Sequence, residues 1–465
     1  MSVDTLIIGG GSAGAIVAGI LAQKSTEKIL LLEAGRSDRG PITQIPLGLT
    51  QAMHNPRYDW KLESAPHAHL NGAVAKIPRG KILGGSGSIN SMLYIRGRRS
   101  DYDEWGLKGW DGQTVWRAFD ALEQHVLTTA QASPNRLCQD FIAAGTRLQL
   151  PEAQDFNQNQ EGLGLYRVNM RRGKRWTGVD AFLRPALKTC PNLEVRTGFQ
   201  VQSLILKGGQ AVGVRLSDGE EVRAARRVIL CAGAIATPRL LMASGFAHPE
   251  LGQNLQDHPA AALVYRSKAR GVGLSLRNLP QILSAPFAYA LARRGVLSSP
   301  TVEAGGFIRT QADLAEPDVQ FHFGPFNLSY WGHGYFADAC VLKPKSRGQV
   351  TLDSIDLNLL RHRDDLATLE RGYGVLQSIL REMNAGEDTL VFPEDPATAV
   401  SQHAATAYHP VGTAAFGTVV DPVSFRVQGL ENVAVVDASL FPTIPAGNTN
   451  NPTMMLAYRA ATEVL

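Results

Sequence analysis

The beginning of the chain alternates apolar and small residues in an order typical of a strand, a helix and a second strand. Residues 5–8 and residues 29–32 are continuous apolar runs, as expected for strands that are buried on both faces of a parallel sheet. Residues 12–23, between them, repeat their apolar positions with helical spacing. This order predicts a βαβ unit and places the chain in the α/β class.

Two later stretches repeat the pattern of an apolar strand that ends in small or acidic residues. They are residues 227–233 and residues 433–437. Because buried runs of this kind are typical of parallel sheets, we expect both to join the sheet of the first unit. Alternating segments between residues 318 and 352 instead predict an antiparallel sheet, followed by a helix at about residues 364–383.

The parallel sheet implied by these stretches is assembled from separated parts of the chain. We therefore expect a discontinuous nucleotide-binding domain that has a second domain inserted into it. The predicted nucleotide-binding domain comprises residues 1–100, 190–257 and 403–465, and the predicted inserted domain comprises residues 101–189 and 258–402.

Composition and charge argue against several classes of function. The chain has 465 residues, 44% of them hydrophobic, and its 46 basic and 42 acidic residues leave a net charge of only +4. These charges are spread along the chain, so we expect no nucleic-acid partner. Cys138, Cys190, Cys231 and Cys340 lie far apart, which argues against a disulfide scaffold and a zinc site. Without an apolar leader or a run long enough to span a bilayer, the sequence predicts a cytoplasmic protein without membrane insertion.

A glycine-rich turn follows the first predicted strand and opens the first predicted helix. Gly9, Gly11 and Gly14 fit the GxGxxG pattern. In that pattern the glycines permit a tight turn, a close backbone approach to a diphosphate and close helix packing. Ser12 and Ala13 begin the helix, whose N-terminus favours negative charge.

An acidic residue ends the second predicted strand. Glu33, followed by Ala34, lies at the distance from Gly14 that the dinucleotide pattern requires. A carboxylate at this place accepts a hydrogen bond from a ribose hydroxyl. The pattern therefore favours a dinucleotide without a 2′-phosphate, such as FAD or NAD.

Three further stretches carry a resemblance to a known family. Residues 80–90, with their crowded glycines and small hydroxyl residues, resemble the flavin-binding signature of the glucose-methanol-choline (GMC) oxidoreductases. Residues 233–245 are similar to the second signature of that family, and residues 251–259 to the segment that follows it. The resemblance implies FAD and a Rossmann-like FAD-binding domain with an inserted antiparallel-sheet substrate domain.

The resemblance also implies a set of residues in contact with FAD. Asp437 and Ala438 match the contact to the ribityl and phosphate region, and Ile89 stands where some relatives attach the flavin through His, so noncovalent FAD is implied. The expected contacts, including those of the fingerprint, are Gly9, Gly11, Ser12, Ala13, Gly14, Glu33, Ala34, Gly80, Gly84, Gly85, Ser86, Asn90, Val201, Ala232, Asp437, Ala438, Asn448 and Thr449.

Two residues near the C-terminus match the catalytic positions of the family. Residues 407–414 resemble the segment that carries the catalytic His, which is His409 here, and residues 444–453 resemble the closing motif, in which Asn448 holds the second position. The resemblance implies oxidation of an alcohol by hydride transfer to flavin N5, with His409 as the proton acceptor and the Asn448 amide holding the substrate oxygen. Neutral imidazole suits this role near physiological pH.

The closing motif also contains a helix-start pattern. Asn450 or Asn451 is expected to cap the last helix, with Pro452 in its first turn.

Three features depart from the family pattern. Ala247 stands where the second signature usually closes with Gly, the join from Gly245 to Leu251 is short, and the insert looks trimmed at residues 354–364. Alternative functions therefore stay open. They are a hydroxynitrile-type lyase that contains FAD, a dehydrogenase that uses an acceptor other than oxygen, and a noncatalytic flavoprotein.

Substrate and acceptor are indicated more weakly. The aromatic residues of the insert indicate a small apolar or aromatic primary alcohol if they form a pocket wall, although they fit a domain core equally well. They are Phe321, Phe323, Phe326, Tyr330 and Trp331. The small side chain of Ala407, two positions before His409, favours oxygen as the electron acceptor.

Two other clusters carry no predicted chemistry. Arg171, Arg172, Lys174 and Arg175 are interpreted as a solvated edge or cover loop. The two histidines of the insert, at positions 322 and 333, have no carboxylate or Cys partners at ligand spacing, so no metal is expected.

Overall fold

The computed structural model describes residues 2–125, 128–267, 271–273, 279–326, 332–384, 388–395 and 398–465. Its fold is of the α/β class, with two large sheets, one with a parallel centre and one antiparallel. The α-helices of the described chain are Ser12–Lys24, Pro41–Gln44, Leu49–Ala52, Arg99–Asp103, Gly112–Glu123, Arg136–Arg147, Arg184–Thr189, Gly233–Ala243, Leu279–Ala292, Arg363–Asn384, Ala399–His403 and Asn450–Arg459. None of these helices combines the length and the apolar character needed to cross a bilayer.

Among the described residues, the first sheet has seven strands and a parallel centre. The strand Ser2–Ile8 pairs in parallel with Ile29–Glu33 on one side and with Glu221–Leu230 on the other. Glu221–Leu230 also pairs in parallel with Val433–Val435, which confirms that both later stretches join this sheet. Its remaining strands are Leu193–Thr197, Val201–Lys207 and Gln210–Leu216.

In the part of the chain that the structure describes, the second sheet also has seven strands, and the pairs between them are antiparallel, as the alternating segments predict. Its centre joins Pro259–Ser267, His333–Val341 and Val319–Gly324. Its other strands are Thr389–Phe392, Ala304–Ile308, Gly162–Leu165 and Ala405–Thr406. The domain boundaries given above stay a prediction.

Short strands complete the described structure in three small sheets. They are Leu62–Glu63 with Lys76–Ile77, Gln349–Val350 with Ile355–Asp356, and Thr128–Thr129 with Val168–Arg171 and Lys174–Arg175.

The helix Ser12–Lys24 packs so closely onto the first sheet that Gly9 and Gly14 have no room for side chains. Gly9 has a φ of +98°, and a Cβ atom at Gly14 would lie 1.9 Å from the carbonyl oxygen of Gly9. The helix is buried almost all round, since it lies between the sheet and the helix Asn450–Arg459. The glycines therefore fix where the first helix begins.

The helix Arg363–Asn384 covers the second sheet, where it was expected from the sequence. Its buried residues recur with helical spacing and include Leu369, Leu376 and Leu380. Gly372 lies on the buried face, and a Cβ there would lie 2.8 Å from the methyl carbons of Val319. A Cβ at Gly374 would meet no atom within 4 Å. Two glycines of one helix thus have opposite surroundings.

We predict that Gly374→Ala stabilises the protein by about 1 kcal/mol, because alanine has the higher helix propensity and meets no neighbour there. Gly372→Ala should destabilise it by about 1–3 kcal/mol, because the methyl group overpacks the contact with Val319. Urea unfolding followed by tryptophan fluorescence measures both effects. A loss of stability in Gly374→Ala would contradict the open surroundings of that position.

Candidate active site

A cavity of about 1360 Å³ lies between the ends of the first-sheet strands and the second sheet. Pockets for drug-sized ligands hold roughly 300–1,000 Å³, so this cavity has room for a dinucleotide together with a small substrate. The predicted residues that line it are Gly9, Gly11, Ser12, Ala13, Glu33, Ala34, Gly80, Gly85, Ser86, Asn90, Val201, Ala232, His409, Asp437, Ala438, Asn448 and Thr449.

Two predicted cofactor residues lie behind the wall of this cavity. Gly14 is covered by the carbonyl of Gly9, as described above. Gly84 has a φ of +91°, and a Cβ there would lie 2.1 Å from Oγ of Ser88. Both therefore shape the backbone rather than face the cavity.

Glu33 is buried at the edge of the cavity and accepts two backbone hydrogen bonds. The amide of Gly10 donates to its Oε2 at 2.8 Å, and the amide of Gly35 donates to its Oε1 at 2.7 Å. Burial raises the pKa of Glu33 to about 7, although both amides act in the opposite direction. The remaining lone pairs of this carboxyl group can accept from a ribose hydroxyl.

The N-termini of the helices Ser12–Lys24 and Asn450–Arg459 face the cavity, and they are tied together. Oγ of Ser12 donates to Oδ1 of Asn450 at 2.6 Å, which joins the starts of the helices Ser12–Lys24 and Asn450–Arg459. Helix N-termini favour anions, because their free amides and dipoles point outward. The donor set thus fits a diphosphate group and the electron-rich edge of a flavin.

The start of the last helix differs from the prediction. The helix begins at Asn450 with Thr449 as its N-cap residue, and no side chain makes the capping hydrogen bond. Asn450 accepts from Ser12, and Asn451 donates to the carbonyl of Leu93 at 2.9 Å. The prediction that one of these asparagines caps the helix is wrong, because both amides are engaged by other segments. Pro452 does lie in the first turn.

Asp437 lines the cavity but is held by protein groups. It accepts from the amide of Gly233, from the hydroxyl of Thr237, and from the amide and hydroxyl of Ser439, at 2.6–2.9 Å. Burial raises its pKa. The carboxylate therefore ties the helix Gly233–Ala243 to the end of the strand Val433–Val435.

Arg175 is buried, with a relative exposure of 2%, so its interpretation as part of a solvated edge is wrong. Its Nη1 donates to the carbonyl of Gly87 at 3.0 Å and to Oδ1 of Asn90 at 2.8 Å. Its Nε and Nη2 find no partner in the described chain, and burial lowers its pKa to about 9. Because Oδ1 of Asn90 already accepts from Arg175, the NH₂ group of Asn90 is the part of its side chain that can donate to a cofactor.

His409 stands in a hydrogen-bonded relay. Nε2 of His258 lies 3.0 Å from the carbonyl oxygen of Leu342. Nδ1 of His258 lies 3.1 Å from Nδ1 of His409, and Nε2 of His409 lies 3.1 Å from Nδ2 of Asn448. The sequence pattern contained His258 in a family segment but assigned it no role.

The relay defines the proton positions on both rings. A carbonyl only accepts, so Nε2 of His258 carries its proton. Burial lowers the pKa of His258 to about 3, which keeps the ring neutral and its Nδ1 free to accept from Nδ1–H of His409. Burial and the neighbouring His258 lower the pKa of His409 well below its ordinary value. His409 is therefore neutral, and its Nε2 carries a lone pair.

The backbone around His409 is held in a strained turn. Tyr408 has a φ of +69°, which is uncommon for a residue other than glycine. Its amide donates to the hydroxyl of Thr406 at 2.8 Å, and that hydroxyl donates to Asp257. Asp257 also accepts from the amide of His409 at 2.8 Å. These contacts explain how the turn keeps its unfavourable conformation and aims the imidazole.

Asn448 is oriented from the second sheet. Nε2 of Gln320 donates to Oδ1 of Asn448 at 3.2 Å, so the NH₂ group of Asn448 points to His409. Gln320 in turn contacts the hydroxyl of Tyr166 at 3.1 Å. Sequence analysis missed Gln320, whose only signal was its position in an alternating strand.

Strand pairing brings together a cluster that the sequence did not indicate. His322 lies opposite Asp338, with 2.8 Å from Nδ1 of the histidine to Oδ1 of the aspartate. Asp338, Cys340 and His322 offer ligand atoms within 4.8 Å of one another, so the interpretation that His322 lacks such partners is wrong. Burial raises the pKa of the Cys340 thiol well above its ordinary value, so the thiol is protonated at neutral pH.

The aromatic residues of the insert divide between core and wall. Phe321 and Phe323 belong to the core beneath the second sheet, whereas Phe326 lines the cavity. Tyr330 and Trp331 lie outside the described residues.

The fold and the site together define a dinucleotide-binding enzyme with a neutral imidazole in its active cavity. Residues 3–260 and residues 344–457 match the family models described as GMC oxidoreductase. The chain belongs to the GMC oxidoreductase family, and its cofactor is FAD. The curated proteins and solved structures that resemble it agree with this family assignment.

Two curated relatives match over nearly the whole chain. "Alcohol dehydrogenase [acceptor]" of Pseudomonas putida is 34% identical, over 98% of this chain and 95% of that protein. "Oxygen-dependent choline dehydrogenase" of Brucella canis is 32% identical, over 100% of this chain and 96% of that protein. The first alignment runs over 526 positions, more than the 465 residues of this chain, so this chain contains deletions relative to that protein.

Two solved structures share the fold. Pyridoxine 4-oxidase from Mesorbium loti superposes with a TM-score of 0.83 and 26% identity, over 98% of each chain. Formate oxidase superposes with a TM-score of 0.88 and 24% identity, over 99% of this chain and 97% of that one, which is a likeness of fold alone.

We predict that Glu33→Gln weakens FAD binding by about tenfold, because a buried hydrogen-bond donor left without its acceptor costs about 1–3 kcal/mol. The new NH₂ group would also face one of the two backbone amides that now donate to Glu33. Fluorescence titration of the apoprotein with FAD measures the effect. Glu194→Gln, an exposed change on a neighbouring strand, is the control, and equal affinities in the two variants would exclude the ribose role of Glu33.

Proposed function

We propose that this protein oxidises a primary alcohol to the aldehyde, with His409 as the proton acceptor. The observation that carries the proposal is the relay from Leu342 through His258, which leaves Nε2 of His409 unprotonated at the cavity wall. Its lone pair accepts from the NH₂ group of Asn448 until a substrate hydroxyl group takes that place. FAD, when bound, supplies the acceptor for the hydride that leaves the alcohol carbon. The names of the curated relatives, an alcohol dehydrogenase and a choline dehydrogenase, support this reaction class.

His409 and Asn448 divide the work on the substrate hydroxyl group. Nε2 of His409 accepts the hydroxyl proton as the carbon–oxygen bond gains double-bond character. The NH₂ group of Asn448, directed by Gln320, donates to the substrate oxygen and holds it beside the imidazole. After proton transfer the imidazolium is stabilised by the substrate-derived oxygen and by the donor–acceptor chain through His258.

The walls of the substrate end favour an apolar alcohol. Phe326, Phe336 and Val302 line the cavity on the side of the second sheet, together with Val272 and Ile282. The carboxylate of Asp338 also lines this side, but it is paired with His322. We infer that the substrate carries a small apolar or aromatic group rather than a sugar or a free cation.

Oxygen is the electron acceptor in this proposal. Ala407 lines the cavity two positions before His409, and its methyl group leaves space beside the imidazole. A His409 that has taken the alcohol proton is cationic, and a nearby positive charge stabilises a developing oxygen anion.

Anaerobic mixing with benzylic or furanic primary alcohols should bleach the flavin absorbance, whereas sugars and charged amino alcohols should leave it unchanged. The reduced enzyme should then recover its colour in air-saturated buffer and release hydrogen peroxide in equal amount. The absence of bleaching by any alcohol, with cleavage of a cyanohydrin instead, would replace the proposal by a lyase. Fast recovery with a quinone and slow recovery with oxygen would make the protein a dehydrogenase.

We predict that His409→Asn retains FAD but slows flavin reduction by about a hundredfold to ten-thousandfold, the usual contribution of a general base. His258→Leu should slow it by about a hundredfold, because Nδ1 of His409 loses its acceptor and the ring loses its fixed tautomer. His258→Gln is the matched control, since its amide can both donate to Leu342 and accept from His409.

Stopped-flow flavin reduction across pH separates these roles from a structural one. In the wild type the rate should not fall from pH 8 to pH 6, because the pKa of His409 lies well below its ordinary value and the ring is already neutral there. Equal rates in His258→Leu and His258→Gln, at equal FAD content, would remove the tautomer from the explanation.

A further inference from the structure

A helix in the described chain is apolar on both faces. The helix Leu279–Ala292, called the apolar helix below, has 14 residues without a charged side chain. Its inner face is part of the cavity wall, where Ile282, Ala285 and Pro286 lie. Packing against the protein interior explains why the inner face is apolar, but it does not explain why the outer face is apolar.

The outer face carries a stripe of large apolar side chains at the surface. Leu279, Leu283, Phe287 and Leu291 are spaced four residues apart, and their relative exposures are 44%, 63%, 70% and 88%. Residues four apart lie one above the other on a helix, so these side chains form one continuous apolar ridge. Contiguous exposed ridges of this kind mark surfaces that contact a partner or a membrane.

Positive charges cluster where the apolar helix ends. Arg293 and Arg294 follow the helix directly. The hairpin of residues 168–175 is packed against the same end, since the hydroxyl of Tyr289 donates to the carbonyl of Gly173 at 3.0 Å. This hairpin contributes further cations to a cationic rim, which consists of Arg171, Arg172, Lys174, Arg293 and Arg294.

The rim is fixed in place relative to the helix. A Cβ at Gly173 would lie 2.2 Å from the carbonyl oxygen of Arg293, so the two backbones are in close contact. The guanidinium of Arg293 lies 4.8 Å from the ring centre of Tyr289, and that of Arg171 lies 4.8 Å from the ring centre of Trp176. Neither residues 279–294 nor residues 166–176 contain an acidic residue.

We propose that the apolar helix and the cationic rim form a docking surface for an anionic phospholipid bilayer. The ridge would enter the boundary between headgroups and acyl chains, and the rim would meet the lipid phosphates. A helix of 14 residues is about 21 Å long, too short to span the hydrocarbon core, so it lies in the plane of the interface. Docking would place the apolar helix, which forms part of the cavity wall, against the lipid.

Charge distinguishes this partner from a second copy of the chain. A two-fold dimer presents the same surface from both subunits. Neither element contains a carboxylate, so each rim would be desolvated without an acidic partner from the facing helix or hairpin. A bilayer with anionic headgroups supplies an apolar interior for the ridge and negative charge for the cationic rim.

The test uses the purified FAD-loaded protein and two kinds of vesicle, one of phosphatidylcholine and one of phosphatidylcholine and phosphatidylglycerol in equal parts. Flotation should bring the protein up with the anionic vesicles and leave it behind with the neutral ones. Leu283→Ser combined with Phe287→Ser should weaken the partition coefficient by about a hundredfold, about tenfold for each large side chain withdrawn. Both positions are exposed, so the variant should keep its fold and its FAD.

Two further variants separate the contributions. Arg172→Gln, Lys174→Gln and Arg294→Gln together should weaken binding by about fivefold per charge and remove most of its dependence on salt. Val423→Ser, at an apolar residue that is 64% exposed and lies outside both elements, is the control and should bind as the wild type does.

Three results would overturn the proposal. They are no flotation with anionic vesicles, unchanged flotation of the serine variant, and a wild-type dimer in solution that the serine variant converts to a monomer. The last result would make the ridge a subunit interface. Vesicle binding does not require alcohol turnover, so its failure and the failure of the proposed reaction are separate outcomes.

Discussion

The structure depends on a close approach of three backbone segments at the carboxyl ends of the parallel strands. The first helix starts so near the strand before it that Gly14 touches the carbonyl of Gly9. The loop that follows Ile82 touches the same turn, where a Cβ at Gly85 would lie 2.8 Å from Cα of Gly11. Because these contacts exclude side chains at Gly9, Gly14 and Gly85, backbone amides and a helix N-terminus form this part of the cavity floor. Such a floor suits a diphosphate, and it lies where open α/β sheets bind their ligands.

The proposed proton transfer depends on a different constraint, the burial of the imidazole pair. In water, His409 would take either tautomer and would be partly protonated near neutral pH. In the cavity wall both rings are neutral, and one carbonyl, that of Leu342, orders the protons along the relay. The strained turn at Tyr408 and the carboxylate of Asp257 aim the ring, while Gln320 aims the amide of Asn448. Segments from both sheets therefore fix the position of the proposed base, His409.

The apolar helix connects the cavity to the outer surface of the protein. It has one side in the cavity and the other in solvent, so whatever covers its outer ridge lies one helix diameter from the cavity. A helix diameter is about 10–12 Å. Solvent exposure of Leu283, Phe287 and Leu291 costs free energy that a bilayer would recover. The exposed ridge and part of the cavity wall thus belong to one helix.

Local sequence determined the parts of this protein that depend on neighbouring residues. Glycine spacing and apolar runs predicted the first turn, its flanking strands and the place of Glu33, because backbone geometry and burial leave a mark at short range. Tertiary structure alone decided which distant groups meet. It buried Arg175 beside residues 80–90 and made Asn450 a partner of Ser12 instead of a helix cap. It also brought His258 into hydrogen-bonding contact with His409. Strand register and packing create these contacts, and residues far apart in sequence leave no periodic signal of them.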